Sequence, residues 1–414
     1  MANKQKSNVL AIIVMILLFG MISFVTNLAS PMGDVLKNQF GVANWMGTLG
    51  VFANFIAYAI MGIPAGNMLQ NMGYKKTALI AIGVGFAGVA IQTLSGFMGS
   101  FGVYLLGAFI AGFSMCMLNI VVNPMLNKLA GGGNKGNQLI QIGGSFNSLM
   151  GTAVIVLTGL LIPNIAQAQI SDVNGLMYTA LAIFAVAFIV VSFTAIPENA
   201  PAAAVKGEKS QYGPMSFRHF VLGAIAIFFY VGIEVGIPNI ANLYMSDLTW
   251  VGPAVAGTVV GAYWFLMMCG RLIGGAIGAK VTSKTMLTAV SALCIALVLA
   301  LMFTPDTVKV TVPFINTEVP LSMLFMLLCG LCTSVMWGSI FNLAAEGLGK
   351  YTPAASGIFM ALVCGGGILP FVQGLVADKI GFIGSYWVII IALAYLLFYA
   401  LVGSKNVNKD IPTE

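Results

Sequence analysis

The chain has 414 residues, 59% of them hydrophobic and only 7% charged. A water-soluble domain carries about 25% charged residues, so this composition excludes a soluble enzyme or binding module and calls for a surface covered by lipid. The formal net charge of +6 does not signal nucleic acid, because no basic run reaches the length of such a patch; it fits cytoplasmic loops that obey the positive-inside rule.

Apolar stretches near the roughly 20 residues that one crossing needs fall at 9–35, 44–69, 77–97, 101–126, 138–163 and 175–196, and again at 218–244, 253–279, 284–304, 320–343, 353–376 and 382–403. The first lacks a small-residue cleavage site, so it is expected to span the membrane rather than serve as a signal peptide. The least hydrophobic stretch, Pro197 to Pro214, holds Glu198, Lys206, Glu208 and Lys209. It divides the chain into a six-helix bundle at 1–196, a cytoplasmic linker at 197–217 and a second six-helix bundle at 218–414. With the N-terminus inside, all but Lys37, Lys309 and Lys379 of the 18 basic residues lie on inner loops or helix ends. An error of one helix would scramble that bias downstream, so twelve spans and two cytoplasmic termini are expected.

The two halves repeat each other. Gly62-x-x-x-Gly66 followed by Thr77 matches Gly270-x-x-x-Gly274 followed by Thr285 at a constant offset, and Gly151 with Gly159 matches Gly366 with Gly374. Small residues at this spacing let membrane helices approach, and their recurrence suggests the parallel repeats of secondary transporters, whose substrate site lies between the halves near the midplane. The six cysteines sit inside apolar segments, where small buried side chains are expected rather than disulfides. Cys329-x-x-Cys332 has no second pair and is weak support for metal or redox chemistry.

Charges within spans are costly and usually functional. Glu234 lies inside the seventh helix with no basic residue within a turn. Low-dielectric surroundings penalise the charged form of a carboxyl group and so suit it to proton exchange. Asp34, at the outer end of the first helix, is either a coupling residue or a solvated helix end. Arg271, in the inner part of the eighth, is expected to gate or pack, its long stem snorkelling to the interface. Asp378 and Lys379 read as a wet helix end, and His219, the single histidine, as an interfacial residue where the linker enters the seventh helix. Asn27, Asn119, Asn123, Gln141, Asn147, Asn239, Asn242, Asn342 and Gln373 supply carboxamides inside spans, and carboxamides match sugar hydroxyls because both donate and accept. Asn119 and Asn123, four apart, share one face of the fourth helix. Trp264 and Trp337 lie away from the membrane interfaces; their faces suit the C–H surface of a pyranose, or simply fill the core. Interhelical bonding accounts for any one of these residues equally well. One histidine and no histidine–carboxylate cluster argue against a metalloenzyme; no phosphate-binding loop points to ATP-driven transport, and no serine-nucleophile elbow appears.

Several motifs together resemble the fucose permease family of major facilitator sugar:proton symporters, including its glucose/galactose branch, over nearly the whole chain. They are Asn119-Ile-Val-Val-Asn123-Pro124, Ser145-Phe146-Asn147-Ser148, Phe229-Tyr230-Val231-Gly232, Gly270-Arg271, Ile340-Phe341-Asn342-Leu343 and Gly365-Gly366-Gly367-Ile368. By resemblance Asp34 matches a proton-coupling aspartate and Asn147 a sugar-contacting asparagine, while Glu234 stands where the glucose/galactose branch has glutamate and the fucose permease glutamine. Two positions depart from the family: its fourth-helix glutamate is Asn119 here, and a fifth-helix glutamine is Gly144, for which Gln141 one turn earlier is the candidate substitute. The expectation is an all-α integral membrane protein of the major facilitator fold, not an enzyme. It imports a monosaccharide or short saccharide by proton symport across a bacterial-type inner membrane, as a multi-pass monomer. No cofactor, metal or nucleic-acid partner is expected, the proton being the coupling ion. An exporter of drugs or metabolites would favour apolar or cationic contacts over these carboxamides. A non-transporting sugar sensor would carry a long cytoplasmic segment, whereas the linker and the tail after Leu401 are short.

Overall fold

Lipid offers no hydrogen-bond partners, so each crossing segment satisfies its backbone groups within itself and becomes a helix. The computed structural model describes residues 2–28, 32, 35, 39–41, 49–162, 168–197, 213–312, 317–408 and 410–413. Among the described residues ten helices are long and apolar enough to cross a membrane. The 50-residue run Leu49–Met98 counts as one of them, but Gly73 inside it adopts φ 80° and ψ 179°, which folds it into two spans; this positive φ suits glycine, which has no Cβ. Gly133–Leu161 is also long enough to cross, and it is more polar, carrying Asn137, Gln138, Gln141 and Asn147. Twelve spans result.

They are α1 (Ala2–Leu28), α2 and α3 (49–72 and 74–98), α4 (Phe101–Leu129), α5 (Gly133–Leu161), α6 (Ile170–Phe193), α7 (Arg218–Asp247), α8 (Gly252–Ile277) and α9 (Ser283–Phe303). The tenth, α10, is broken into Ser322–Thr333 and Met336–Ala345; α11 runs through Thr352–Ala361, a 3-10 turn at Leu362–Cys364 and 365–380, where Gly381 (φ 82°) breaks the run Gly365–Gly384; α12 is Tyr386–Phe398, ending in a π turn at Tyr399–Gly403. The boundaries differ from the sequence expectation by up to seven residues, most at α1, which runs from Ala2 to Leu28 against an expected 9–35; α5 and α6 begin five residues early, with polar Lys135 and Asp172 already in the helix. Asp34, Lys37 and most of the expected linker fall outside the described residues.

On α1, Leu10, Ile13 and Leu17 are exposed while Ala11, Met15 and Leu18 are buried. This helical alternation gives one face to lipid and one to the bundle, with apolar residues on both. Lys75, just past the Gly73 bend, donates from Nζ to the carbonyls of Ser192 (2.7 Å) and Thr194 (3.0 Å), satisfying the end of α6. All six cysteines are free thiols. A short antiparallel hairpin, β1 (Lys309–Val312) with β2 (Thr317–Pro320), fills the α9–α10 connection. Its Lys309 lies over the Trp250 ring at 4.1 Å and pairs with Glu318 at 3.4 Å. The alternating valines at 308, 310 and 312 were the readable strand signal.

The first six helices meet the last six chiefly through α2 against α11 and α5 against α8. On the α2 side the repeat glycines allow the approach: a Cβ at Gly62 would come within 2.6 Å of the Gly357 carbonyl, and one at Gly66 within 2.9 Å of the Gly357 Cα. Leucine at Gly357 is therefore expected to force α2 and α11 apart. Maleimide labelling of a cysteine placed at Asn127, on the face between the halves, should speed up at least about tenfold as the closed state is lost. An unchanged labelling rate would mean that this contact does not hold the halves together.

Candidate functional site

The site is assembled around irregularities in α7 and α10. Pro238 has no N–H, so the carbonyl of Glu234, four residues earlier, loses its helical donor. The Tyr263 hydroxyl of α8 supplies one at 3.4 Å and shares a second hydrogen bond with Thr333 Oγ1 of α10 at 3.1 Å. At the break in α10 after Thr333 the Ser334 carbonyl accepts from α8, and the Val335 carbonyl accepts from α5 while keeping its helical bond from the Ser339 N–H at 3.3 Å.

Arg271 joins these elements. Its Nη2 pairs with Glu234 Oε1 at 3.1 Å, and its Nε donates to the Ser334 carbonyl at 3.4 Å. Across the junction its Nη1 donates to three acceptors on α5: the Gly144 carbonyl (3.0 Å), Ser148 Oγ (2.7 Å) and Asn147 Oδ1 (3.3 Å). Asn147 in turn donates to the Phe19 carbonyl of α1 at 2.7 Å. One guanidinium thus ties α5, α7 and α10 together from α8. The snorkelling expected for Arg271 is corrected: the residue is 8% exposed, because an anionic partner and four polar acceptors replace the water it would otherwise seek. The departure at Gly144 gains a reason as well, since a Cβ there would stand 3.3 Å from Arg271 Cδ. A glutamine in this place would occupy the space of the arginine.

A second layer lies toward the α4–α5 turn. Asn119, Asn123 and Asn127 recur every fourth residue along α4. Asn119 donates to Tyr58 Oη at 3.0 Å, and Asn123 donates to Asn119 Oδ1 at 3.3 Å while accepting from Trp337 Nε1 of α10 at 3.0 Å. Asn127 donates to Asn342 Oδ1 at 3.0 Å, and Asn342 to Ser283 Oγ at 2.9 Å. From α5, Gln141 donates to the Val335 carbonyl (3.0 Å) and Gln138 to the Gly275 carbonyl (2.9 Å). Four of these bonds cross between the halves, and every one is neutral. Replacing Trp337 by phenylalanine keeps the ring against Tyr230 and Phe359 but removes the bond to Asn123. A loss of about 0.6 to 1.5 kcal/mol from the closed state is expected, readable as faster labelling at the same Asn127 cysteine; no change would mean that Asn123 finds another donor.

The remaining expectations divide. Asn27 bonds within its own helix, to the Ser23 carbonyl at 2.9 Å. Asn239 is exposed. Gln373 is completely buried, and neither of its amide atoms has a partner; its Oε1 lies 2.6 Å from where a Cβ at Gly236 of α7 would stand. Asn242 also has an unpartnered buried oxygen. Trp264 is half-buried against Tyr263. His219, the second residue of α7, is completely buried within the protein, with Nε2 2.8 Å from the Glu346 carbonyl at the C-terminal end of α10. Asp378 and Lys379 are exposed, as expected of a wet helix end. Gln141, the candidate substitute for the family glutamine, donates to the Val335 carbonyl at 3.0 Å and to Asn137 Oδ1 at 3.4 Å. Sequence reasoning missed Ser148, Tyr263, Gln138 and Asn127. Asn127 was legible as the next member of the α4 series, whereas the carbonyl acceptors have no sequence signal.

The Major Facilitator Superfamily model matches residues 10–370. The chain belongs to this superfamily. It is 30% identical over 416 residues to the glucose/galactose transporter of Brucella abortus biovar 1 (strain 9-941), covering 98% of this chain and 96% of that protein. It is 22% identical to the L-fucose-proton symporter of Escherichia coli (strain K12), covering 86% and 85%. Among solved structures, the major facilitator transporter FucP in its outward conformation superposes with a TM-score of 0.82 at 19% identity, over 97% of this chain and 100% of that one. As in other major facilitator proteins, the fold is twelve helices in two six-helix bundles, and the family is one of transporters rather than enzymes.

Proposed function

We propose that this chain is a secondary active transporter that imports a small sugar, a monosaccharide or short saccharide, by proton symport with alternating access. The observation that carries the reading is the Glu234–Arg271 pair buried where the two halves meet. Charges at such depth are costly and are kept where they serve transport. Glu234 carries the proton; Asp34, outside the described residues, is the second coupling candidate by family resemblance. Asn147, Asn119 and Asn123 offer carboxamides to the sugar, with Trp337 and Trp264 as apolar faces, and Arg271 with the α4–α10 bonds forms the gate. The boundary between the bundles lies at 197–217. With both termini cytoplasmic in a bacterial-type inner membrane, the bonded end beside the α4–α5 turn is the inner end, so this state faces outward. One chain forms the whole path, and the proton is the coupling ion with no other cofactor.

Relatives named as glucose/galactose transporters and L-fucose-proton symporters support the sugar class. The test is uptake of radiolabelled D-glucose, D-galactose and L-fucose into cells expressing the chain, with and without an uncoupler. One of the three should accumulate and the uncoupler should abolish its accumulation. Uptake unchanged by the uncoupler would leave a facilitator, and no uptake of any of them would remove the sugar reading.

A further inference from the structure

We propose that the first half carries a second, peripheral binding site for a neutral sugar, in the cavity between the end of α3 and the start of α6. This site is separate from the one between the halves and goes beyond the transport reading above.

The cavity follows from how two helix ends meet. A Cβ at Gly96 of α3 would stand 2.6 Å from Ile170 Cγ2, so the glycine lets the start of α6 close against α3. Ile170 opens its helix, and its N–H has no helical acceptor there. It donates instead to Gln39 Oε1 at 3.3 Å, which brings the segment after α1 to the same place. Between the three lies a space of about 140 Å3, its side-chain lining supplied by Gln39, Thr93, Phe97, Gln169, Ser171 and Asn174. Thr93 is buried, whereas Phe97, Gln169 and Ser171 are exposed, so the space has a closed floor and an open rim. It lies at the end of the bundle opposite the α4–α5 turn, the outer end in the orientation proposed above. Here α6 packs on α1 and α3 of its own half.

The lining selects the ligand. Three carboxamides and two hydroxyls surround the space beside one aromatic ring, and none of the lining residues is charged. Carboxamides and hydroxyls both donate and accept, as sugar hydroxyls do. Asn174 Oδ1 is buried and has no partner among the described residues. An acceptor left in that state is costly, and an O–H donor entering the cavity satisfies it. An anion is disfavoured, although a helix start attracts one: Asp172 already holds that place, its Oδ2 accepting from the Gln169 N–H at 2.9 Å. A bare divalent cation would require carboxylates that the lining lacks. The space holds about four waters at roughly 30 Å3 each, or one sugar ring in their place. It is well below the roughly 300 Å3 at which pockets for drug-sized molecules begin. Phe97 and Met98, both exposed, bring lipid to the rim, so the ring arrives either as a free sugar or as the headgroup of a glycolipid.

The experiment labels Ser171→Cys, at the rim, with a maleimide and follows that peptide by mass spectrometry. D-glucose, D-galactose and L-fucose are the free probes, added to purified protein in detergent. Nanodiscs with and without a glucosyl diacylglycerol supply the lipid probe. At ten times its Kd a ligand leaves about one site in eleven empty, so labelling is expected to slow about tenfold. Protection by a free sugar places the source in solution; protection only in glycolipid nanodiscs places it in the membrane. Either should survive Asn147→Leu, which removes a carboxamide of the central site. Either should vanish in Asn174→Leu, provided that its apparent Tm stays near the wild-type value. Thr93→Val, which removes a floor hydroxyl at nearly constant volume, should weaken protection and replaces Asn174→Leu if that variant does not fold. Absence of protection by every probe would overturn the proposal and leave a cavity that holds water alone. Protection lost with Asn147→Leu, or retained in both floor variants, would overturn it as well. The readout is at residue 171 and not uptake, so its failure is separable from failure of the symport reading.

Discussion

Glutamine at Glu234 is expected to abolish uphill accumulation of sugar while leaving exchange of labelled for unlabelled sugar across the membrane intact. One proton moving through 100 mV supplies about 2.3 kcal/mol, enough to concentrate a neutral solute about 50-fold. Wild type should approach such a ratio in energised vesicles, and Glu234→Gln should settle at about one. The substitution conserves size and hydrogen bonding to Arg271 Nη2, so exchange, which needs no net proton movement, reports that the protein still folds and moves. Continued accumulation by the variant would put coupling elsewhere, with Asp34 the first residue to examine.

Removing the other partner should damage the protein more. Arg271→Gln leaves a carboxylate in a pocket where the two side chains of the pair are only 10% and 14% exposed. Breaking a buried pair from one side costs about 3–5 kcal/mol, and two carbonyls, a hydroxyl and a carboxamide lose their donor as well. The apparent Tm in detergent at alkaline pH should drop sharply, and lowering the pH should restore part of it, because protonation removes the unpaired charge. The double variant Glu234→Gln with Arg271→Gln should recover most of the loss, since a pair of carboxamides leaves no charge buried. A double variant as unstable as the single one would show that the stem of Arg271 stabilises by packing rather than by its charge.

The repeat glycines illustrate how a pattern can be right while its detail is not. Gly62 and Gly66 do bring two helices close, but their partner is Gly357 of the other half. Their counterparts act within one half: a Cβ at Gly270 would strike the Ser334 side chain of α10, and one at Gly274 the Val335 side chain. Gly374, matched to Gly159 by spacing, has open space where a side chain would go. Shared spacing therefore does not carry shared contacts, and each half uses its glycines differently.

Composition and hydropathy determined by themselves that this chain lies in lipid, crosses it twelve times and carries a titratable group within a span, because a low-dielectric solvent imposes length and polarity on each segment independently of its neighbours. The α4 asparagine series was equally local, a consequence of the helical repeat. Only the tertiary structure decided that Glu234 has a cationic partner. Arg271 is 37 residues away in sequence, and its position depends on Gly144 leaving room, on the break in α10 exposing the Ser334 carbonyl, and on Ser148 and Asn147 meeting it from α5. Main-chain acceptors and empty space carry no side-chain signature, so a network built from them becomes legible only when the helices are packed.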